Sequence, residues 1–241
     1  MAIFGRSKQE QEAWCWDEWN RCKNDFLYFL LTYLVIITKK AKKVRFRPND
    51  MQLIAINDLE SHEWIYTLKA RQLGYSTITA AWFFWKVMFN PHFKAAVLAH
   101  TLDSCETIFK IYRTYYDNLP DWMKQIANAS PPSKREIMFG HGGLIRVTPH
   151  STMGGTFQLV HASEFAHYDN IPYVLANVFQ MVGDGGQIIL ETTANGLNDA
   201  FHMWNNSKKY GDDGQELFLR FFWWGIEKEY RAKPLHQSDF T

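Results

Sequence analysis

Between Trp64 and Lys208, short apolar, β-branched runs alternate with stretches of helical composition, and this limits the fold more than any other feature of the chain. The strand-like runs are Trp64 to Leu68, Ala95 to Ala99, Gly143 to Thr148, Phe157 to His161 and Gln187 to Thr193. Helices are predicted from Thr77 to Phe89, Asp103 to Tyr116, Pro172 to Val182 and Asn198 to Lys208. Short apolar strands separated by helices predict an α/β fold with a mostly parallel sheet covered on both faces. Such sheets bind ligands outside the carboxyl ends of their strands, so the residues following each strand are where chemistry is to be sought.

The remainder of the chain fits around that core. Its 241 residues suit one sizeable domain with small satellites. Residues 1–47 read as a Trp-rich helical arm or lid element, 48–210 as the core, and 211–241 as a lid or linker segment. That last segment opens on the turn Gly211-Asp212-Asp213-Gly214 and continues into the apolar run from Leu217 to Trp224. A net charge of +1 gives no global basic field, so a nucleic-acid contact needs a local patch. The densest such patch runs from Lys39 to Arg47, and a solvated face is its plainer reading. Cys15, Cys22 and Cys105 form no zinc-type pairs and fit a reducing compartment. Met1 to Asn24 is polar and charged and reads as no signal peptide. Phe26 to Ile37 is about a dozen apolar residues, short of the roughly 20 that span a bilayer. It reads as a buried helix or strand, and no membrane association is expected. His141, His150, His161 and His167 are not at metal-ligand spacing.

Three strand ends carry candidate chemistry. Lys69-Ala70-Arg71-Gln72-Leu73-Gly74-Tyr75-Ser76-Thr77 joins the first strand to its helix. A phosphate-binding loop needs backbone N–H groups and a helix N-terminus behind the phosphates, with a hydroxyl for magnesium. Gly74 and Ser76 match the glycine and serine that end such a loop. Tyr75 stands where the usual lysine belongs, and Lys69 stands at the place of the loop's first glycine. On the loop alone, an ordinary strand–helix turn reads equally well. Lys69 could reach the phosphates from the loop's other side, and Arg71 adds a second, permanently charged cation. The second strand end, Val160-His161-Ala162-Ser163-Glu164, places a carboxylate where attacking water could be oriented. Ser163, just before it, could join a magnesium water shell but brings no charge, and a helix-capping role is the plainer reading of Glu164. The third, Glu191-Thr192-Thr193-Ala194-Asn195-Gly196, offers small hydroxyl and amide groups able to sense a γ-phosphate. Upstream, the Gln52 carboxamide can both donate to and accept from an adenine edge.

Taken together, the string from Lys69 to Thr77 resembles the variant Walker A of large terminases, the packaging motors of tailed phages. The resemblance extends in order through most of the chain. It implies a P-loop NTPase fold of the RecA-like kind, with a small lid subdomain, that binds ATP and Mg2+. Gln52 would read adenine, and residues 69–77 would cradle the phosphates, with Lys69 and Arg71 acting catalytically. Ser163-Glu164 resembles the Ser-Glu form of Walker B, Glu164 being the catalytic carboxylate; Ser76, Ser163 and Glu164 would serve the metal. Thr192, Thr193 and Asn195 match the coupling motif. The implied partners are double-stranded DNA, a portal protein, a small terminase subunit and further copies of the chain in a ring. The implied location is the host cytoplasm, outside the mature virion.

Two departures qualify the match. Where terminases often carry an arginine before Walker B, this chain has Met153; Arg146 is the candidate substitute for a trans-acting finger and Arg135 a weaker one, an ordinary surface ion pair being the other reading of each. The chain also ends at Thr241 without a second acidic constellation, so a motor domain without nuclease activity is expected. Two other functions compete: another P-loop DNA-dependent ATPase, and a nucleotide-binding scaffold with little turnover. Tyr75 and Ser163 favour the scaffold, since each stands where a charged group is usual.

Overall fold

The computed structural model describes residues 7–152, 154–207 and 217–226. Helices α1 (Lys8–Asn24) and α2 (Phe26–Tyr33) lead into a hairpin of β1 (Val35–Ile37) and β2 (Lys43–Arg45). Then follow α3 (Asp50–Ser61), β3 (Trp64–Lys69), α4 (Tyr75–Phe89), β4 (Lys94–Ala99), α5 (Leu102–Asp117) and α6 (Asp121–Ala127). The chain continues through β5 (Glu136–Met138), β6 (Leu144–Pro149), β7 (Phe157–Ser163), α7 (Ile171–Met181), β8 (Val182–Thr192), α8 (Asp199–Asn206) and β9 (Phe218–Phe222).

Seven strands form one sheet in the order β5-β6-β4-β7-β8-β3-β9. Every neighbouring pair is parallel except β5 and β6. Successive residues of each strand face opposite layers, and here both layers are apolar. Ile65, Val97, Leu159 and Ile189 pack toward α3, α4 and α5, whereas Tyr66, Leu98, Val160 and Leu190 pack toward α7 and α8. This is why the strands read as unbroken apolar runs.

Helix α4 is buried almost all round, its Trp82, Phe83, Phe84, Val87 and Met88 among the buried residues. A helix with no polar face must lie inside the fold. The N-terminal arm supplies its outer cover: Trp19 packs on Phe89 at a tilt, Phe29 meets Phe89 and Phe26 meets Trp82 edge-on, and Trp85 Nε1 donates to the Cys22 carbonyl at 2.8 Å. Residues 7–47, set apart in the sequence as part of an arm, therefore share the core of the sheet's α4 face. The apolar stretch from Phe26 is helix α2 followed by β1, and among the described residues no helix is long and apolar enough to cross a membrane.

Four elements were not expected from the sequence: β2, α3, α6 and β5. The run from Leu217, read as lid or linker, contributes β9, which pairs in parallel with β3 through Ile65↔Phe218 to Lys69↔Phe222. A bidentate pair, Arg220 Nε and Nη2 to the buried Asp58 carboxylate at 2.6 Å each, ties β9 to α3. Residues 208–216, the turn at Gly211–Gly214 included, and 227–241 lie outside the described residues, as does Met153.

Candidate functional site

The order β7-β8-β3 sets three strand ends side by side. Ser163 is the register partner of Glu191, and Glu191 the partner of Thr67. Lys69, Ser163, Glu164, Glu191 and Thr193 thus meet at one carboxyl edge, beside the start of α4.

The loop from β3 to α4 is built around Gly74, whose φ of +81° lies in the left-handed region that favours glycine. A Cβ there would also come within 2.7 Å of Gln52 Nε2. Unlike α3, α4 has no side-chain cap at its N-terminus, so its first N–H groups keep their donors for an outside acceptor. The start of α3 braces the loop from behind. Asn49 Nδ2 donates to the Leu73 carbonyl at 3.2 Å and Gln52 Nε2 to the Gly74 carbonyl at 2.9 Å. Gln52 Oε1 also accepts from the Asn49 N–H at 3.1 Å, closing a capping box. Of the Gln52 carboxamide, one N–H and one lone pair remain beyond these two bonds.

Within the loop the side chains divide. Lys69 is buried, Ala70 half-buried, Arg71 and Gln72 exposed, and Gln72 adopts a positive φ of 63°. Leu73 and Tyr75 turn into the core, and Thr67 Oγ1 donates to Tyr75 Oη at 2.8 Å. Both were expected to line a nucleotide; their side chains instead belong to the apolar layer beneath the loop. Ser76 and Thr77 are half-buried at the first turn of α4. A cavity of about 310 Å³ opens over the end of β3, lined in part by Lys69, Arg71, Thr193, Phe221 and Trp223.

Lys69 is the centre of the charge arrangement. Its Nζ lies 2.8 Å from Glu164 Oε1 and 3.2 Å from Glu191 Oε2. Burial alone would lower the lysine pKa, but the two carboxylates outweigh it and raise the pKa above the ordinary lysine value. Glu191 is fully buried. Burial would raise its pKa; the Lys69 charge, with the His161 ring and the Ser76 hydroxyl beside it, overcomes this and holds it well below the usual carboxylate range. Ser76 Oγ and Ser163 Oγ both donate to Glu191 Oε1, the latter at 2.8 Å, and His161 Nε2 lies 3.2 Å from the same oxygen. Ser76 and Ser163, expected from the sequence to serve a metal, are joined by Glu191, which the strand-end motifs do not single out. The signal was present: an acid closing the run Ile188-Ile189-Leu190 in a strand covered on both faces.

Glu164 has a left-handed backbone, φ 54° and ψ 42°, sparsely populated outside glycine. Its Oε2 accepts from Thr193 N–H at 2.9 Å and Thr193 Oγ1 at 3.0 Å, with His167 Nε2 at 3.9 Å. The two loops are laced together one turn further on. Thr192 Oγ1 accepts from the Ala166 N–H at 3.2 Å, while Asn195 Nδ2 and Asn198 Nδ2 each donate to the Ala166 carbonyl at 2.8 Å. Thr192, Thr193 and Asn195, expected to couple, thus bond to the segment from Glu164 to Ala166 rather than to the loop from β3 to α4. Arg146 lies elsewhere, on β6 four strands from β3, where its Nε donates to Glu136 at 2.6 Å.

No family model matches the chain. Solved structures do resemble it. The large terminase of bacteriophage HK97 superposes with a TM-score of 0.63 at 13% identity, over 83% of this chain and 43% of that one. The ATPase domain of the Thermus phage P74-26 large terminase gives 0.57 at 16% identity, over 90% and 94%. The large terminase of another thermophilic bacteriophage, in complex with ATP-γ-S, gives 0.52 at 11% identity, over 80% and 48%. The chain therefore has the mostly parallel P-loop fold of phage large-terminase ATPase domains, and it spans less than half the length of the HK97 protein.

Proposed function

We propose that this chain is the ATPase motor of a DNA-packaging large terminase, hydrolysing ATP to drive double-stranded DNA into a procapsid. One observation carries the reading: Lys69, Ser76 and Glu164 converge beside the uncapped N-terminus of α4. The α4 amides receive the phosphates, and Lys69 turns from its carboxylates to neutralise them. Glu164, released from Lys69 and held by Thr193, orients the attacking water. Gln52 steadies Gly74 and offers its remaining N–H to the base, and Arg71 reaches the phosphates from the loop's exposed side. The residues suit a magnesium ion, because the Ser76 hydroxyl stands at the loop with a fully buried carboxylate behind it. When bound, that ion neutralises charge on the phosphate oxygens.

The likeness to a terminase crystallised with ATP-γ-S supports nucleotide binding. For DNA, the exposed lysines of the β1–β2 hairpin, among them Lys40, Lys42 and Lys43, offer the cationic surface that phosphates require. A ring of copies around DNA, a portal protein, a small terminase subunit and the host cytoplasm complete the proposal, with Arg146 as the residue reaching a neighbour's site. The competing scaffold reading rests on Tyr75 and on Ser163, and the first of these stands where a lysine is usual. That ground weakens, since Tyr75 faces the core and Lys69 supplies the ammonium.

The test is steady-state ATP turnover with and without DNA, on this chain and on Glu164→Gln. Turnover should fall about 10²–10⁴-fold in the variant, the usual range for a lost general base. Nucleotide affinity should stay within a few-fold. A parent that shows no turnover with DNA and packaging partners present sinks the motor reading and leaves the scaffold. Equal turnover of parent and variant removes Glu164 from the chemistry.

A further inference from the structure

We infer that Glu191 is the carboxylate that holds the nucleotide's magnesium through its water shell, supplying from the central strand β8 the charge that Ser163 lacks on β7. The inference rests on the nucleotide reading above and assigns a residue to it. Magnesium on a triphosphate keeps several waters and is gripped by one hydroxyl and one or two carboxylates. Ser76 is the hydroxyl. A hydroxyl that gives its proton to a carboxylate keeps its lone pairs for a cation, and both Ser76 and Ser163 direct their protons to Glu191 Oε1. Glu191 thus fixes the proton of both hydroxyls and leaves their lone pairs available at the strand ends.

Charge balance points the same way. Glu191 is fully buried, and its Oε2 has no well-directed hydrogen bond, only the Lys69 ammonium at 3.2 Å. One ammonium cannot serve two carboxylates and a triphosphate at once. When Lys69 turns to phosphate, Glu191 is left as a buried anion, a costly state unless another cation arrives. A divalent ion held by Ser76 beside the phosphates would supply that cation. Lys69, lying between the two carboxylates, fills that role while it remains paired with them.

The experiment measures Mn2+ binding by electron paramagnetic resonance in the presence of ATP-γ-S, beside affinity for a fluorescent ATP analogue in Mg2+ and in EDTA. In Glu191→Gln, Mn2+ affinity should fall about 10–100-fold, as for lost outer-shell ligands, while analogue affinity in EDTA moves less than about threefold. Adding Ser163→Asp to Glu191→Gln should restore most of the Mn2+ affinity, because the charge returns one strand away. Parental Mn2+ affinity in Glu191→Gln, or a loss that Ser163→Asp does not rescue, overturns the inference. Should Glu191→Gln fail to fold by thermal melt, Glu191→Asp decides: a several-fold loss of Mn2+ affinity supports the assignment and an unchanged value overturns it. A parent that binds no analogue in either condition overturns the nucleotide reading itself.

Discussion

Replacing Lys69 with methionine keeps the length of the side chain and removes its charge, leaving Glu191 buried without a counter-ion. Removing one partner of a buried ion pair costs roughly 3–5 kcal/mol. Glu191 retains Ser76, Ser163 and His161 as partners, and Glu164 is about a third exposed. The lower end therefore applies: about 3 kcal/mol, or a Tm lower by roughly 6–12 °C for a chain of this size. The sign of the pH dependence separates charge from packing. In the parent, Glu191 has a folded pKa below its ordinary value of 4.5, so its contribution is complete above that pH and is lost only in stronger acid. In Lys69→Met, burial dominates and the folded pKa rises above that value, so the variant recovers stability as the pH falls through it. The gap between parent and variant should be widest near pH 8 and narrow steadily toward about pH 5. Urea denaturation across that range reads it without adding salt. A gap that stays constant would refute the electrostatic argument and leave a packing defect as the cause.

Three other substitutions probe the surroundings. Tyr75→Phe should lower stability by about 1 kcal/mol, one buried hydrogen bond, with unchanged ATP affinity; weaker ATP binding would place the phenol at the nucleotide. Gln52→Ala should weaken all nucleotides by loosening Gly74, and ATP about fivefold more than GTP through the lost base contact; equal weakening of both leaves only the brace. Thr193→Val should reduce turnover at least about tenfold with nucleotide affinity unchanged, since it frees Glu164 Oε2 from the hydroxyl that positions it, and unchanged turnover would remove Thr193 from the positioning of Glu164.

The sheet was readable because both its faces are covered, which leaves runs such as Ala95 to Leu98 and Ile188 to Leu190 apolar throughout. Helix α3 was harder: Asp50–Ser61 mixes polar and apolar residues, and its clearest mark is the cap formed by Asn49 and Gln52. Gln52 drew notice for its chemistry while its bond to Gly74, 22 positions away, could not be seen in one dimension. The three strand-end motifs were legible as strings. Their meeting was not, because the order β7-β8-β3 depends on a crossover that no local pattern encodes. Glu191 was passed over for the same reason: it sat beside the threonines in sequence, and only the neighbouring strands reveal it as the acceptor for Ser76 and Ser163. Tyr75 shows the converse, a residue whose motif position suggested chemistry and whose burial assigns it to packing.

The crossover also governs how the domain comes into being. Strands β3 and β4 are consecutive in the chain, yet β7 and β8 lie between them in the sheet. A nascent chain carrying only the first half holds two sheet edges that cannot pair with each other, and α4 has only part of its floor, since Leu159 and Ile189 belong to the layer beneath it. Pairings this distant along the sequence form slowly, because the intervening loop must close before any contact rewards it. Synthesis must therefore deliver β8 before the sheet becomes continuous. Glu191 arrives with that same strand, so the cluster around Lys69 and the continuity of the sheet from β4 to β3 come from one late event, after which β9 closes the edge at β3.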